Sequence, residues 1–175
     1  ILMKNFSIII PIKNEEQNIP LIVDQIKNLK INYKYEIIFI DDGSTDNSWN
    51  ILKELNKKNK SIKGISFSRN FGHQIALSAG IDSCNSEFLI MMDGDLQHPP
   101  KYILPMIKKY EEGYDVIQMV KKNQGKRSLI QKVSSSFFYF IFSKISNVKI
   151  SNNVSDFRLI SLKVIKALKN INEKE

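Results

Sequence analysis

The stretch LIMMDGDLQHPP, residues 89–100, decides how the chain reads. An apolar run from Phe88 to Met92 ends abruptly in two carboxylates one residue apart, Asp93 and Asp95. Like charges that close repel and are costly to desolvate unless a cation or hydrogen bonds compensate them. Two readings follow: a surface turn in which Asp-Gly-Asp caps the next helix, or a cation site at the end of a buried strand. Gln97 adds a third oxygen at the same two-residue spacing, and alternate positions of an extended segment can face one ion. Three oxygen donors that leave positions open for phosphate and water suit Mg2+ or Mn2+.

Working outward, the same plan recurs three times upstream. FSIIIP (6–11) runs into a polar loop and a helix carrying Ile19, Ile22, Val23, Ile26 and Leu29, with Pro20 in its first turn. EIIFID (36–41) leads through DGSTDNS to a helix with Trp49, Leu52 and Leu55, and IKGISFS (62–68) leads through RNFGHQ to one with Ile75, Leu77 and Ile81. The opening stretch itself precedes a helix with Tyr102, Ile103, Met106, Ile107 and Tyr110, and DVIQMV (115–120) supplies a fifth strand. Continuous apolar strands alternating with helices predict an α/β fold, with a mostly parallel central sheet and helices on both faces. Beyond residue 120, residues 137–142 read as part of an aromatic-rich helix, SNVKISNNVSDFRLIS as irregular, and LKVIKALKNI as a last helix. In an open sheet of this kind ligands bind outside the carboxyl ends of the strands. Asn14 and Glu15, Asp41 and Asp42, Arg69 and Asn70, Asp93 and Asp95, and Lys121 should therefore gather along one edge.

Bulk composition narrows the classes. At 175 residues, 42% hydrophobic and 25% charged, the chain fits one ordinary globular domain, spanning 1–175. A single cysteine, Cys84, excludes an internal disulfide and a Cys-rich zinc site. No apolar run approaches the ~18 residues of a membrane span. The net charge of +8 favours anionic partners. Lysine supplies most of it, as a solvated surface, and the only arginines are Arg69, Arg127 and Arg158. Those positions are the ones expected to need the planar fork that grips phosphate. No G-x-G-x-x-G follows the first strand, and GKRS (125–128) lacks the upstream glycine of a P-loop. A diphosphate would then need a cation, which the Asp93–Asp95 pair could hold.

PIKNEE, DDGSTDNS, SRNFGHQIALSAGID, MDGDLQHPP and SDFRLIS, in this order, resemble the family 2 glycosyltransferases of GT-A fold. The subgroup most similar is that of the bacterial polyprenyl-phosphate glycosyltransferases, which are similar to dolichol-phosphate mannose synthase. The resemblance implies inverting transfer of a sugar from a nucleotide-diphosphate sugar, UDP-linked at the family level, to a polyprenyl phosphate in cell-envelope glycan synthesis. It implies Pro11, Asn14, Glu15, Asp42 and Asp93 at the nucleotide, and Asp95, Gln97 and Asp93 at the metal. It places Asp156 as the catalytic carboxylate and Arg127 and Arg158 at the acceptor phosphate. Members continue into membrane-associated helices, so the resemblance implies a catalytic domain cut short of them, working at the cytoplasmic face of the cell membrane. Two departures stand out: His98 where many members carry an acid, and Lys121 near a common arginine.

Three rival readings remain: a family member acting on a glycan acceptor, a DxD phosphatase, and a basic anion-binding module without catalysis. A phosphatase of the haloacid-dehalogenase kind carries its DxD on an early strand and leaves DDGS without work. A module binding nucleic acid explains the charge but not carboxylates gathered at one edge, so no nucleic-acid partner is expected. His73 reads as a helix-start residue, Trp49 as core, and Cys84 as a buried, inert thiol.

Overall fold

The computed structural model describes residues 5–120 and 154–170. In chain order it contains β1 (Asn5–Ile12), α1 (Asn18–Lys27), β2 (Lys34–Asp41), α2 (Ser48–Lys58), β3 (Ile62–Ser66), α3 (His73–Ser83) and β4 (Phe88–Met91). A 3-10 turn (Pro100–Tyr102), α4 (Ile103–Glu111), β5 (Val116–Val120), β6 (Val154–Ser161) and a last helix, here α5 (Leu162–Asn170), follow. The described residues up to Ile117 and from Asp156 onward belong to one unit.

The six strands lie in the order β3-β2-β1-β4-β6-β5. β1 pairs in parallel with β2 and with β4, and β2 pairs in parallel with β3. β1 is central because it can be: every residue from Phe6 to Ile12 is buried, which only a strand covered on both faces tolerates. On one face Ile9, Ile38, Ile40, Leu89 and Met91 pack with Ala76 and Leu77 of α3 and Ile165 of α5. α1 contributes Ile19, Ile22, Val23 and Ile26, a 3.6-period stripe, all buried. Phe88 stacks on Phe6 at 4.8 Å and meets Tyr110 of α4 at 4.4 Å, while the Tyr33 hydroxyl donates to Glu111 at 2.6 Å. Among the described residues no helix is long and apolar enough to cross a membrane.

Two expectations are corrected. Residues 154–161, expected to be irregular, form a strand antiparallel to β4, in the register Phe88↔Ser161 to Met91↔Arg158. Phe157, Leu159 and Ile160 are buried while Arg158 breaks their run, and it is the pairing with β4 that makes the segment a strand. Trp49, expected in the core, is half-buried, with its ring against Gly64 at the β3 edge of the sheet. Cys84 is buried as expected, and burial pushes its thiol upward. The aromatic stretch 137–142 lies outside the described residues.

Candidate functional site

Three loops leave the carboxyl ends of β1, β2 and β3 and are laced by side chains that the turns demand. Asn14 takes a left-handed backbone, φ 55°, a conformation asparagine tolerates better than most residues. Its N–H donates to Ser44 Oγ at 2.9 Å, and its Oδ1 accepts the Thr45 N–H at 2.8 Å. Glu15 N–H donates to Ser48 Oγ, and Glu16 N–H to Asp46 Oδ2 at 3.1 Å. Burial is the largest single influence on the Asp46 carboxyl and pushes it up, but the hydrogen bonds with Ser48 and Glu16 together outweigh it and hold the group below the ordinary carboxylate range. Gly43 turns at φ 68° with its α-carbon against the Arg69–Asn70 backbone; a Cβ there would lie 2.5 Å from the Arg69 carbonyl carbon. Only glycine lets the second and third loops approach so closely.

Asp42 pins the third loop. Its side chain is buried, and its two oxygens accept the Phe71 N–H at 2.7 Å and the Gly72 N–H at 3.0 Å. The pin places the amino end of α3 at the sheet edge, where unpaired amides carry a partial positive charge.

The fourth loop answers the question raised by the opening stretch. Neither Asp93 nor Asp95 caps a helix: the 3-10 turn and α4 start behind Pro99 and Tyr102, without side-chain caps. Gly94 lies so close to β1 that a Cβ would meet Ile12 Cγ2 at 2.8 Å and the Pro11 carbonyl at 3.2 Å. Asp95 is exposed, and its Oδ1 accepts the Gln97 N–H at 3.0 Å in a tight turn completed by Leu96 at φ 59°. Asp95 Oδ2 has no partner among the described residues. Asp93 stands between both histidines of the chain, with His73 Nε2 3.7 Å from Oδ1 and His98 Nδ1 3.7 Å from Oδ2.

Pro11, Glu15, Asp42, His73, Asp93 and Asp95 line one open cavity of about 410 Å³ at this edge. Five of the seven residues expected at the nucleotide and metal thus meet there, with Asn70 beside them. Asn14 and Gln97 do not line it; Asn14 spends its carbonyl oxygen on the second loop. The hard oxygen set of Asp93 and Asp95 fits a small divalent cation, although no group of three or more His, Cys, Asp or Glu among the described residues is arranged to hold a metal. Arg158 sits half-buried on β6 rather than in a loop, and the backbone of Asp156 lies on the same strand. Arg127 and Lys121 lie outside the described residues. The reading of the sequence missed the meeting of His73 and His98. Its signal was available: the only two histidines both fall in motif loops.

Comparison with known proteins bears on the family and the fold. The profile of Glycosyl transferase family 2 matches residues 7–169. The chain is 41% identical over 169 residues to the putative glycosyltransferase CsbB of Bacillus subtilis, covering 95% of this chain and 51% of CsbB. It is 36% identical over 166 residues to the prophage bactoprenol glucosyl transferase homolog of Escherichia coli, covering 93% and 54%. The chain therefore spans about half the length of the curated relatives it matches. The mannosyltransferase PcManGT from Pyrobaculum calidifontis, solved with GDP-Man and Mn2+, superimposes with a TM-score of 0.65 at 16% identity, covering 95% of this chain and 47% of that one. Glucosyl-3-phosphoglycerate synthase from Mycobacterium tuberculosis, solved with UDP, gives 0.63 at 19%, covering 92% and 58%. The chain belongs to glycosyl transferase family 2 and has the GT-A fold.

Proposed function

We propose that this domain transfers a sugar, with inversion, from a UDP-linked donor to a polyprenyl phosphate at the cytoplasmic face of the cell membrane. The observation that carries the reading is the convergence of Asp42, Asp93, Asp95 and the amino end of α3 on one cavity at the carboxyl edge of the parallel strands. The name of the E. coli relative supports the lipid acceptor. Pro11, Glu15 and Asp42 bind the nucleoside, and Asn14 serves it by fixing the loop that carries Glu15. Asp93 lies beside the ribose and diphosphate. Asp95, with Asp93 and Gln97, would hold Mg2+ or Mn2+, which when bound neutralises charge on the departing diphosphate.

An acceptor phosphate oxygen attacks the anomeric carbon from the side opposite the diphosphate. The new carbon–oxygen bond forms as the old one breaks, and the electron pair leaves with UDP. A phosphate monoester is already ionised near neutral pH, so little proton removal is needed. Asp156 accordingly orients the acceptor and stabilises positive character at the sugar, while Arg127 and Arg158 bind the acceptor phosphate.

A thermal-shift panel of UDP, GDP and UMP, with Mn2+ or with chelator, tests the donor side. Stabilisation by UDP that requires the metal is the expected result. Metal-independent vanadate binding would support a phosphatase instead, and salt-sensitive DNA binding a basic module. Radiolabelled sugar recovered in the lipid phase with a polyprenyl phosphate, using the full-length protein, tests the acceptor. Label appearing only in a glycan would overturn the lipid assignment.

A further inference from the structure

Asp93 has to present its carboxylate to the cavity, yet it follows a strand directly and stands next to a glycine. A second side chain, His98, stands beside it. His98 is almost wholly enclosed, its side chain 8% exposed, with Nδ1 3.7 Å from Asp93 Oδ2. Its ring meets Phe157 of β6 edge-on, with centroids 5.9 Å apart and planes inclined at 62°. On the cavity side His73, 39% exposed, stands 3.7 Å from the other oxygen.

The backbone that delivers His98 is unusually constrained. The Asp95–Gln97 turn and the left-handed Leu96 reverse the chain. His98 then precedes Pro99, itself fixed at φ −62° and ψ 134°, and the residue before a proline is held to extended conformations. A ring buried at the end of so stiff a segment cannot swing to find its partner. It is already in place, one small closure from a hydrogen bond, as polar contacts in ligand-free sites commonly are.

We propose that His98 is the positioning residue of the DGD turn: an imidazole whose Nδ1–H is directed at Asp93 Oδ2, braced from behind by Phe157. It fixes Asp93 for the diphosphate and metal, and it links that carboxylate to the strand carrying Asp156 and Arg158. A carboxylate that serves a metal is commonly held by such an outer partner, and loss of the partner lowers metal affinity about 10- to 100-fold. The nucleotide arm of the test rests on the donor site proposed above; the spectroscopic arm does not.

Long-range 1H–15N spectra of the metal-free chain, taken in buffer alkaline enough to keep both rings neutral, resolve the two histidines and their tautomers. We expect the Nδ1–H form at His98, the reverse of the preference of a free imidazole, and its loss in Asp93→Leu. His98→Phe keeps the ring against Phe157 but cannot donate. It should weaken Mn2+·UDP binding at least about tenfold while leaving UMP binding in chelator unchanged. His98→Asn, which restores a donor near Nδ1, should recover most of the loss. An Nε2–H tautomer in the wild-type chain overturns the proposal. So does equal weakening of UMP and Mn2+·UDP in His98→Phe, which would make the ring a packing element only. If the wild-type chain binds neither Mn2+·UDP nor Mn2+·GDP, the donor reading falls and the tautomer still decides the role of His98.

Discussion

Replacing Asp42 by asparagine tests whether one carboxylate holds the third loop of the site. Its two oxygens accept the Phe71 and Gly72 amides at 2.7 and 3.0 Å. Asparagine has nearly the same shape but only one acceptor oxygen. One amide keeps the remaining oxygen, and the other meets an NH2 group that is itself a donor. The Gly72 amide also has Asn70 Oδ1 at 3.0 Å, so the Phe71 amide is the one to read. A hydrogen bond to a charged group contributes about 1.5–3 kcal/mol. At about 1.4 kcal/mol per decade, its loss speeds exchange of the affected amide roughly 10- to 150-fold. Phe71 is 41% exposed, so water can partly replace the lost acceptor, and the lower end of that range, about 10- to 30-fold, is the expected result. Amide hydrogen exchange under conditions where opening is at equilibrium reads this directly. UMP affinity in chelator should fall in the same variant, because the loop it loosens borders the cavity. Wild-type exchange at both amides would refute the reasoning. So would uniform acceleration through β2 and α3, which would mean that Asp42 supports the whole fold rather than one loop.

Other expectations follow from the same structure. Gly94→Ala drives a methyl toward Ile12 Cγ2 and the Pro11 carbonyl and should cost about 1–3 kcal/mol of stability; an unchanged denaturation midpoint would show that β1 yields more easily than its burial implies. Asp95→Asn should abolish Mn2+-dependent UDP binding with the fold intact, and unaltered affinity at saturating Mn2+ would remove Asp95 from the metal site. The Tyr33 hydroxyl, half enclosed and bonded to Glu111, is pushed from 10.0 up to about 12 by burial first and by the carboxylate second. Its stabilising contribution is thus complete below the ordinary tyrosine range and disappears as pH rises through about 12. Burial also pushes Tyr35 and Tyr110 upward, so ultraviolet titration should show a late group of tyrosines, and Glu111→Gln should bring the Tyr33 step earlier while leaving Tyr35 in place. Arg158→Lys, made in the full-length enzyme, keeps the charge but loses the fork, so acceptor use should drop while donor binding holds; equal losses would move Arg158 to the donor diphosphate.

The sequence carried the first half of this molecule well. Strands such as IIIPI and IIFID are apolar without a break because both faces are covered, and so short an unbroken run between polar loops fits little but a strand buried on both sides. The edge to which Glu15, Asp42, Asp93 and Asp95 belong was legible for the same reason, since parallel strands must all end at one side. β6 was not legible. Asp156 and Arg158 interrupt its pattern, and its place beside β4 is set by a partner some seventy residues away. The approach of His73 and His98 to Asp93 was only hinted at: both histidines fall within motif segments, but one starts α3 and the other follows the DGD turn, so their distance from Asp93 needed the fold. Trp49 misled through its size: a large ring reads as core, yet it covers an edge strand where part of it meets water.

The late arrival of β6 has a consequence for synthesis on the ribosome. β4 carries Phe88, Leu89 and Ile90, all fully buried in the finished sheet, and it can pair with β1 as soon as both have emerged. Its other side waits for β6, about seventy residues downstream. At roughly 5–20 residues per second, elongation leaves that apolar edge open for about 4–14 s. An unpaired, unbroken edge of this kind invites pairing with another chain. Chaperones that hold nascent chains would engage this segment during that interval, and slower translation between codons 92 and 161 would lengthen it.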